Sequence, residues 1–164
     1  MITIYVMCGL LGSGKSTWAR NEVMGNDNTI AVSRDSLREM IKCGHYEFNP
    51  NTEPLIKAFR NANMEIGTKF GFDIVIDECH LTRKHRAEVI KEIRSWGSPQ
   101  NNIQTKIVCI HCTESIRNVD LRMQTPRDLP RDEWEEVYQN MKSIFEPPTL
   151  EEGFDDLLIY SIPD

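Results

Sequence analysis

A glycine-rich segment near the start of the chain combines residue types that could do chemistry at a fixed spacing. Residues 9–16, GLLGSGKS, satisfy the pattern G-x-x-x-x-G-K-[S/T] in full. Glycines let the backbone curl so that successive N–H groups point at phosphate oxygens, and a following helix adds its positive N-terminal end. Lys15 then suits the β- and γ-phosphates of a nucleoside triphosphate, and the Ser16 hydroxyl suits Mg²⁺. The pattern predicts ATP and Mg²⁺ as cofactors, bound by Gly9, Gly12, Ser13, Gly14, Lys15, Ser16 and Thr17.

Asp77 follows the apolar run Ile74-Val75-Ile76, at the end of a predicted strand. A carboxylate in that position can hold the Mg²⁺ shell through water, so Ser16 and Asp77 are the predicted metal residues. The adjacent Glu78 is a second candidate for the same role. The alternative interpretation is an acidic residue that only caps the next turn.

Asp35 and Arg38 follow the second predicted strand, at the carboxyl edge where ligands bind in parallel sheets. In a helix the two residues are three apart and share a face. Asp35 is then suited to accept a proton from an attacking hydroxyl, and Arg38 to bind a phosphate of the acceptor. The same spacing is equally typical of an N-cap aspartate beside a solvated arginine, and both interpretations stay open.

Strand-like and helical patterns alternate along the chain. Apolar runs predict strands at 2–8, 29–32, 72–76, 104–111 and 157–160. Helices are predicted after Gly14 to about Met24, at 84–96, 113–123 and 131–145, and where Leu55, Phe59, Ala62, Ile66 and Phe70 recur at helical spacing. This alternation predicts an α/β fold, a parallel sheet of about four to five strands with helices on both faces. No repeat or composition break divides the sequence, which predicts a single domain over 1–164.

The composition is that of an ordinary globular protein, with 40% hydrophobic residues, 27% charged residues and a formal net charge of −6. Because the overall charge is negative, any contact with nucleic acid requires a local basic cleft. No stretch reaches the roughly 18 apolar residues that span a bilayer, and the first residues lack the features of a signal peptide. We therefore expect a cytoplasmic protein without membrane contact.

Five cysteines are present, an odd number without the spacing of a secreted disulfide scaffold. Cys109 and Cys112 form a CxxC around His111, which raises the possibility of a metal or redox site. They fall in an apolar, strand-like run without a second ligand pair, so we predict reduced cysteines in the core.

The segment from Gly9 to Arg20, with GSGKSTWAR at 12–20, resembles the kinase domain of phage polynucleotide 5′-kinases. SRDSLR at 33–38 resembles that family's segment in which an aspartate activates the 5′-hydroxyl and an arginine holds the adjacent 3′-phosphate. Those residues are Asp35 and Arg38 here. The resemblance implies a P-loop kinase fold with a helical lid, and 5′-hydroxyl ends of RNA or DNA as the partner substrate. In a phage-encoded protein the compartment would be the host cytoplasm.

Further segments extend the resemblance over most of the chain. IDECHL at 76–81 is similar to the family's strand-end motif, with Cys79-His80 in place of the usual Thr-Asn. Arg117-Asn118 and Arg122 resemble the residues that clamp ATP phosphates, and Arg127 competes with Arg122 for the lid position. FEPP at 145–148 and EGFD at 152–155 resemble a closing signature of related ATPases. The sequence has no Asp-x-Asp-Gly-Thr phosphatase motif.

The predicted function is ATP-dependent transfer of the γ-phosphate to a 5′-hydroxyl end in nucleic acid end repair. The predicted catalytic residues are Asp35, Lys15, Arg38 and Arg122. Two alternatives stay open. A kinase of a nucleoside, sugar or antibiotic would not need Arg38 to bind a phosphate, and a nucleotide-dependent ATPase or switch would not need Asp35 as a base. The sequence leaves the oligomeric state and the choice between RNA and DNA open.

Overall fold

A parallel β-sheet lies at the centre of the structure, a computed structural model that describes residues 1–96, 103–124 and 131–162. Within these ranges the sheet has five strands, β1 (Ile2–Cys8), β2 (Thr29–Val32), β3 (Asp73–Ile76), β4 (Thr105–Cys112) and β5 (Asp156–Tyr160). Their order is β2-β3-β1-β4-β5, and each neighbouring pair is parallel. The central strand is β1, so the glycine-rich loop after it leaves the middle of the carboxyl edge.

The strands are connected by helices that begin at recognisable signals. Ser33 caps the second helix by accepting the Ser36 N–H at 3.5 Å, and Pro54 lies in the first turn of the third, where a missing N–H is tolerated. The described ranges contain α1 (Lys15–Gly25), α2 (Arg34–Ile41), α3 (Glu53–Lys69), α4 (Arg83–Trp96), α5 (Ile116–Gln124), α6 (Arg131–Ile144) and a 3₁₀ turn at Leu150–Glu152.

Alternate residues of β1 pack on opposite faces of the sheet, as the period of two in a strand requires. Ile4 and Val6 join one core cluster with Met64 of α3 and Ile93 of α4. Met7 joins a second cluster that includes Ala19 of α1. The predicted parallel sheet with helices on both faces is therefore confirmed.

A third cluster covers the glycine-rich loop. It unites Leu10 of the loop and Leu81 with Val119 of α5 and Tyr138 of α6. This places α5 and α6 beside the loop, where the predicted helical lid would have to lie.

The apolar residues whose spacing predicts α3 do not form its packed face. The helix forms, but its predicted stripe faces outward, with Leu55 48%, Phe59 38%, Ile66 53% and Phe70 77% exposed. The buried face instead carries Ile56, Met64 and Gly67 together with Arg60. A β-carbon at position 67 would lie 2.7 Å from Ile74, so the glycine allows close packing on the sheet. Because the packed face contains a glycine and a charged residue, a count of apolar residues does not identify it.

The prediction of core cysteines is confirmed for the CxxC pair. Cys109 and Cys112 lie on β4, and both are free and buried. Of the helices in the described ranges, none has the length and apolar character needed to cross a membrane.

Candidate active site

The loop between β1 and α1 has a backbone that depends on glycine. Gly9, Gly12 and Gly14 have φ values of 151°, 73° and 91°, in the region that L side chains rarely adopt. A β-carbon at position 12 would also lie 2.9 Å from the backbone of Val119. The Gly9 N–H donates to the Cys79 carbonyl at 3.1 Å, which fixes the start of the loop against the segment after β3. Such a loop has the concave backbone that cradles phosphates.

Lys15 places its positive charge inside this loop. Its ammonium donates to the Leu10 carbonyl at 2.6 Å and to the Ser13 hydroxyl at 3.3 Å, and the side chain is buried. Lys15, Ser16 and the exposed Thr17 line a cleft of about 830 Å³ at the carboxyl edge of the sheet. The predicted nucleotide-binding residues of the loop are therefore together in one place.

Ser16 and Asp77 lie in contact on the floor of this cleft. Burial raises the pKa of Asp77, while the hydrogen bond with Ser16 and the charge of Lys15 act in the opposite direction. A hydroxyl beside a carboxylate is a pair of hard oxygen donors, which fits Mg²⁺. The described residues contain no group of three or more His, Cys, Asp or Glu side chains that could hold a metal. Mg²⁺ here would therefore draw its other ligands from phosphate oxygens and water.

Asp35 lies on the first turn of α2 and lines the same cleft. Its side chain is 51% exposed, so a substrate can reach it. Arg38 donates from Nη1 to Asp35 Oδ1, and the Tyr46 hydroxyl lies 3.4 Å from the same oxygen. The predicted base and the predicted phosphate-binding arginine thus stand side by side, facing the loop that would hold ATP.

Glu53, at the start of α3, fixes Arg38 from the other side. Arg38 donates from Nε and Nη2 to the two carboxylate oxygens of Glu53, each at 2.8 Å. The hydrogen bonding of Arg38 to Glu53 is the largest cause that raises the pKa of Arg38 above its usual range. Together with the Asp35 bond, these contacts use three of the five guanidinium N–H groups of Arg38, which lines the cleft.

A second set of ion pairs, next to this site, is centred on Glu78. Its carboxylate contacts Arg34 at 3.1 Å and Arg60 at 3.2 Å, and Arg60 also contacts Glu92 at 2.8 Å. Burial acts to raise the pKa of Glu78, but His80, Arg60 and Arg34 outweigh it and the pKa is lowered. Because Glu78 is held by two arginines while Asp77 contacts Ser16, Asp77 is the better candidate for the metal.

His80, the second residue of the Cys79-His80 pair that takes the place of the family's usual Thr-Asn, lies in the core. Its Nδ1 is 2.7 Å from the Met7 carbonyl, so this nitrogen carries the hydrogen and donates it. Burial lowers the pKa of His80 to about 4, which keeps the ring neutral near pH 7. The residue ties the segment after β3 to β1, with a backbone φ of 39°. Its contacts give it a structural role.

The predicted clamp for ATP phosphates is described only in part. Asn118 on α5 lines the cleft. Arg127 lies outside the described residues, and so do the side chains of Arg117 and Arg122, whose backbone belongs to α5. Their predicted roles stay predictions.

Sequence reasoning missed Glu53, Tyr46 and Arg34 as parts of the site. Glu53 is 15 residues from Arg38 and stands at a helix start, where an acidic residue is common. The sequence offered a weak signal for Tyr46, an aromatic residue in a polar loop close to Asp35.

Comparisons with known proteins bear on the family and the fold of the chain. The model of a family described as AAA domain matches residues 4–148. Among curated proteins, none matches the chain.

Solved structures with a similar fold include a chain of the Pnkp1/Rnl/Hen1 RNA repair complex, at 22% identity and a TM-score of 0.66, with 88% of this chain and 46% of that chain covered. A fungal RNA kinase matches at 11% identity and a TM-score of 0.65, with 99% of this chain and 75% of that chain covered. A third match is the APS kinase CysC of Mycobacterium tuberculosis in complex with AMPPNP and APS. It has 16% identity and a TM-score of 0.56, with 96% of this chain and 87% of that chain covered. The chain thus spans less than half of the repair-complex chain. At these identities the likenesses establish the fold of P-loop kinases.

Proposed function

Because this chain belongs to the AAA domain family and has the fold of P-loop kinases, we propose that it transfers the γ-phosphate of ATP to the 5′-hydroxyl end of RNA or DNA. The observation that carries the proposal is a single cleft that the phosphate-binding loop shares with the Asp35–Arg38 pair. A role in nucleic acid end repair would follow from such an activity.

Each side chain of the cleft has a role in this reaction. The acceptor oxygen bonds to the γ-phosphorus as the bond from that phosphorus to the bridging oxygen of ADP breaks. Asp35 takes the hydroxyl proton, and Lys15 stabilises the charge on the transferring phosphoryl group. Ser16 and Asp77 would hold Mg²⁺, which neutralises charge on the ATP phosphates when bound.

The pairing of Arg38 with Glu53 supports a nucleic acid acceptor. When a carboxylate accepts two hydrogen bonds from one guanidinium, it fixes the plane of the guanidinium and so the direction of the remaining guanidinium N–H groups. A fixed planar donor pair suits the phosphate next to a 5′-hydroxyl nucleoside. The two structural neighbours from RNA repair and RNA kinase proteins point to the same acceptor class.

A kinase of a small molecule is the second candidate. The APS kinase shares the fold, and carboxylates of the chain already satisfy three N–H groups of Arg38. In that case Arg38 would only position Asp35, and the acceptor would carry no phosphate beside its reacting hydroxyl.

Labelled ATP and a panel of acceptors separate these functions. The panel contains 5′-hydroxyl RNA and DNA oligonucleotides, nucleosides, their 3′-monophosphates, a sugar and adenylyl sulfate, with Lys15→Ala as the inactive control. We expect efficient transfer to oligonucleotides and nucleoside 3′-monophosphates, and a much lower kcat/KM for bare nucleosides. Equal kcat/KM for a nucleoside and its 3′-monophosphate would replace the proposal by the small-molecule kinase. ATP hydrolysis without transfer to any acceptor would indicate the ATPase or switch.

A further inference from the structure

The loop between α2 and α3, residues 42–52, is restrained at both ends by its own hydrogen bonds. At its start the Gly44 N–H donates to the Glu39 carbonyl at 2.7 Å, with φ of 94° at the glycine. At its end the Thr52 N–H and hydroxyl donate to the Asn49 carbonyl at 2.9 and 3.0 Å. The residues between these two turns are therefore presented in a defined position.

Two aromatic rings of this loop, Tyr46 and Phe48, lie against the guanidinium group of Arg38. Their ring centroids are 5.9 and 5.4 Å from Arg38 Cζ, within the range of cation–π contacts. Tyr46 also lines the cleft, and its hydroxyl lies 3.4 Å from Asp35 Oδ1. Tyr46 thus lies beside both residues that would handle the acceptor, and Phe48 lies beside Arg38.

Phe48 leaves 57% of its surface exposed although the loop that carries it is restrained. An exposed phenylalanine forgoes the stabilisation that burial of its ring would give. Here the exposed ring adjoins an arginine that lines the cleft. A nucleotide carries an anionic phosphate and a flat base a few ångströms apart. An arginine beside an exposed aromatic ring is complementary to both.

We infer that Tyr46 and Phe48 form a subsite on which nucleobases near the 5′ end of the acceptor strand stack. The inference rests on the proposed function, because it says how the acceptor of that reaction is held. Every base has a π-face, so stacking on aromatic rings tolerates any sequence. The bases of a duplex are already stacked on each other, so the subsite selects single-stranded ends.

A comparison of intact and abasic acceptors tests the subsite. Wild type, Phe48→Ala and Phe48→Trp each phosphorylate a short single-stranded oligonucleotide and its counterpart with abasic sites near the 5′ end. Wild type should prefer the intact acceptor in kcat/KM by about five- to a hundredfold, the range for stacking one base on an aromatic ring. In Phe48→Ala the preference should fall toward one, and Phe48→Trp should keep it. Phe70→Ala is the matched control, because Phe70 is exposed at the far end of α3.

Refutation would come from a wild type that treats both acceptors alike, or from a Phe48→Ala protein that keeps the wild-type preference. Phe48→Trp adds a readout that needs no turnover. An intact oligonucleotide should quench its fluorescence beyond the quenching of wild type, whose three tryptophans give the background, and the abasic one should not. If no 5′-hydroxyl end is phosphorylated, the proposed function fails and the quenching still decides the subsite. Kinase activity without the additional quenching overturns the subsite alone.

Discussion

The two halves of the cleft are built by different means. The nucleotide half is one continuous segment, in which backbone groups and the side chain of Lys15 converge because three glycines adopt positive φ. The acceptor half is assembled from three segments, with Asp35 and Arg38 on α2, Tyr46 in the following loop and Glu53 on α3.

Because the halves are built differently, the specificity of such a cleft for its acceptor should lie in the acceptor half. A backbone cradle serves any nucleoside triphosphate and tolerates little change, because its geometry depends on glycine. A side-chain assembly can be altered one contact at a time, so related folds can phosphorylate different acceptors. Substitutions in the nucleotide half should therefore affect all acceptors, and those around Arg38 should affect acceptors selectively.

Asp35→Asn should cause the largest loss. It keeps the shape and removes the proton acceptor, and general base catalysis contributes roughly 10²- to 10⁴-fold. Phosphoryl transfer should fall by about that factor while the Kd for ATP stays within about twofold, because Asp35 belongs to the acceptor half. Parallel titration of ATP and single-turnover transfer checks both numbers. A joint loss of binding and transfer would make Asp35 structural.

Lys15→Ala should lower transfer to every acceptor by the same factor. Loss of one donor to the transition state costs roughly 10²- to 10³-fold, and in the proposed reaction Lys15 stabilises the phosphoryl charge as it develops. The measurement is kcat/KM for an oligonucleotide and for a nucleoside 3′-monophosphate in the same preparation. Near-normal turnover would remove the loop from the catalytic machinery, and a loss confined to one acceptor would break the division between the halves.

The sequence predicts which residues come together in the nucleotide half because that information is local. The loop pattern names its residues in order, and Asp77 is found beside Ser16 because β3 pairs directly with β1. In the acceptor half, spacing picked out Asp35 and Arg38 but left two interpretations open, and the family resemblance assigned their roles. Glu53 could not be found from spacing, because its contact depends on how α3 packs, and the apolar spacing on α3 does not mark its packed face.

Arg38→Ala should have a smaller and more selective effect. Loss of a charged hydrogen bond costs about 1.5–3 kcal/mol, which is roughly ten- to a hundredfold in kcat/KM. We expect this loss for acceptors with a phosphate beside the reacting hydroxyl, and little change in the Kd for ATP. The comparison is a nucleoside against its 3′-monophosphate in wild type and variant. The preference for the monophosphate should shrink in Arg38→Ala, and an unchanged preference would mean that another group binds that phosphate.

Glu53→Gln should have the smallest effect, because it alters how Arg38 is held and otherwise weakens only a 3.9 Å contact with Arg34. The glutamine oxygen can still accept one guanidinium N–H, but its NH₂ group faces the other as a second donor, so the two-bond fork is lost. One such bond is worth about 0.5–1.5 kcal/mol, or roughly two- to tenfold. The loss should appear mainly as a higher KM for phosphate-bearing acceptors, since Arg38 binds them without taking part in proton transfer.

Glu92→Gln is the matched control for this prediction, because Glu92 also pairs with an arginine but contacts Arg60 instead of Arg38. Glu92→Gln should leave unchanged the ratio of kcat/KM for the nucleoside 3′-monophosphate to kcat/KM for the nucleoside. In an Arg38→Ala background, Glu53→Gln should no longer change that ratio, because residues that act through one contact are not additive. An equal effect of Glu53→Gln with and without Arg38 would show that Glu53 acts on the acceptor directly. The acceptor half would then contain two phosphate-selective elements where the structure shows one guanidinium held by a carboxylate.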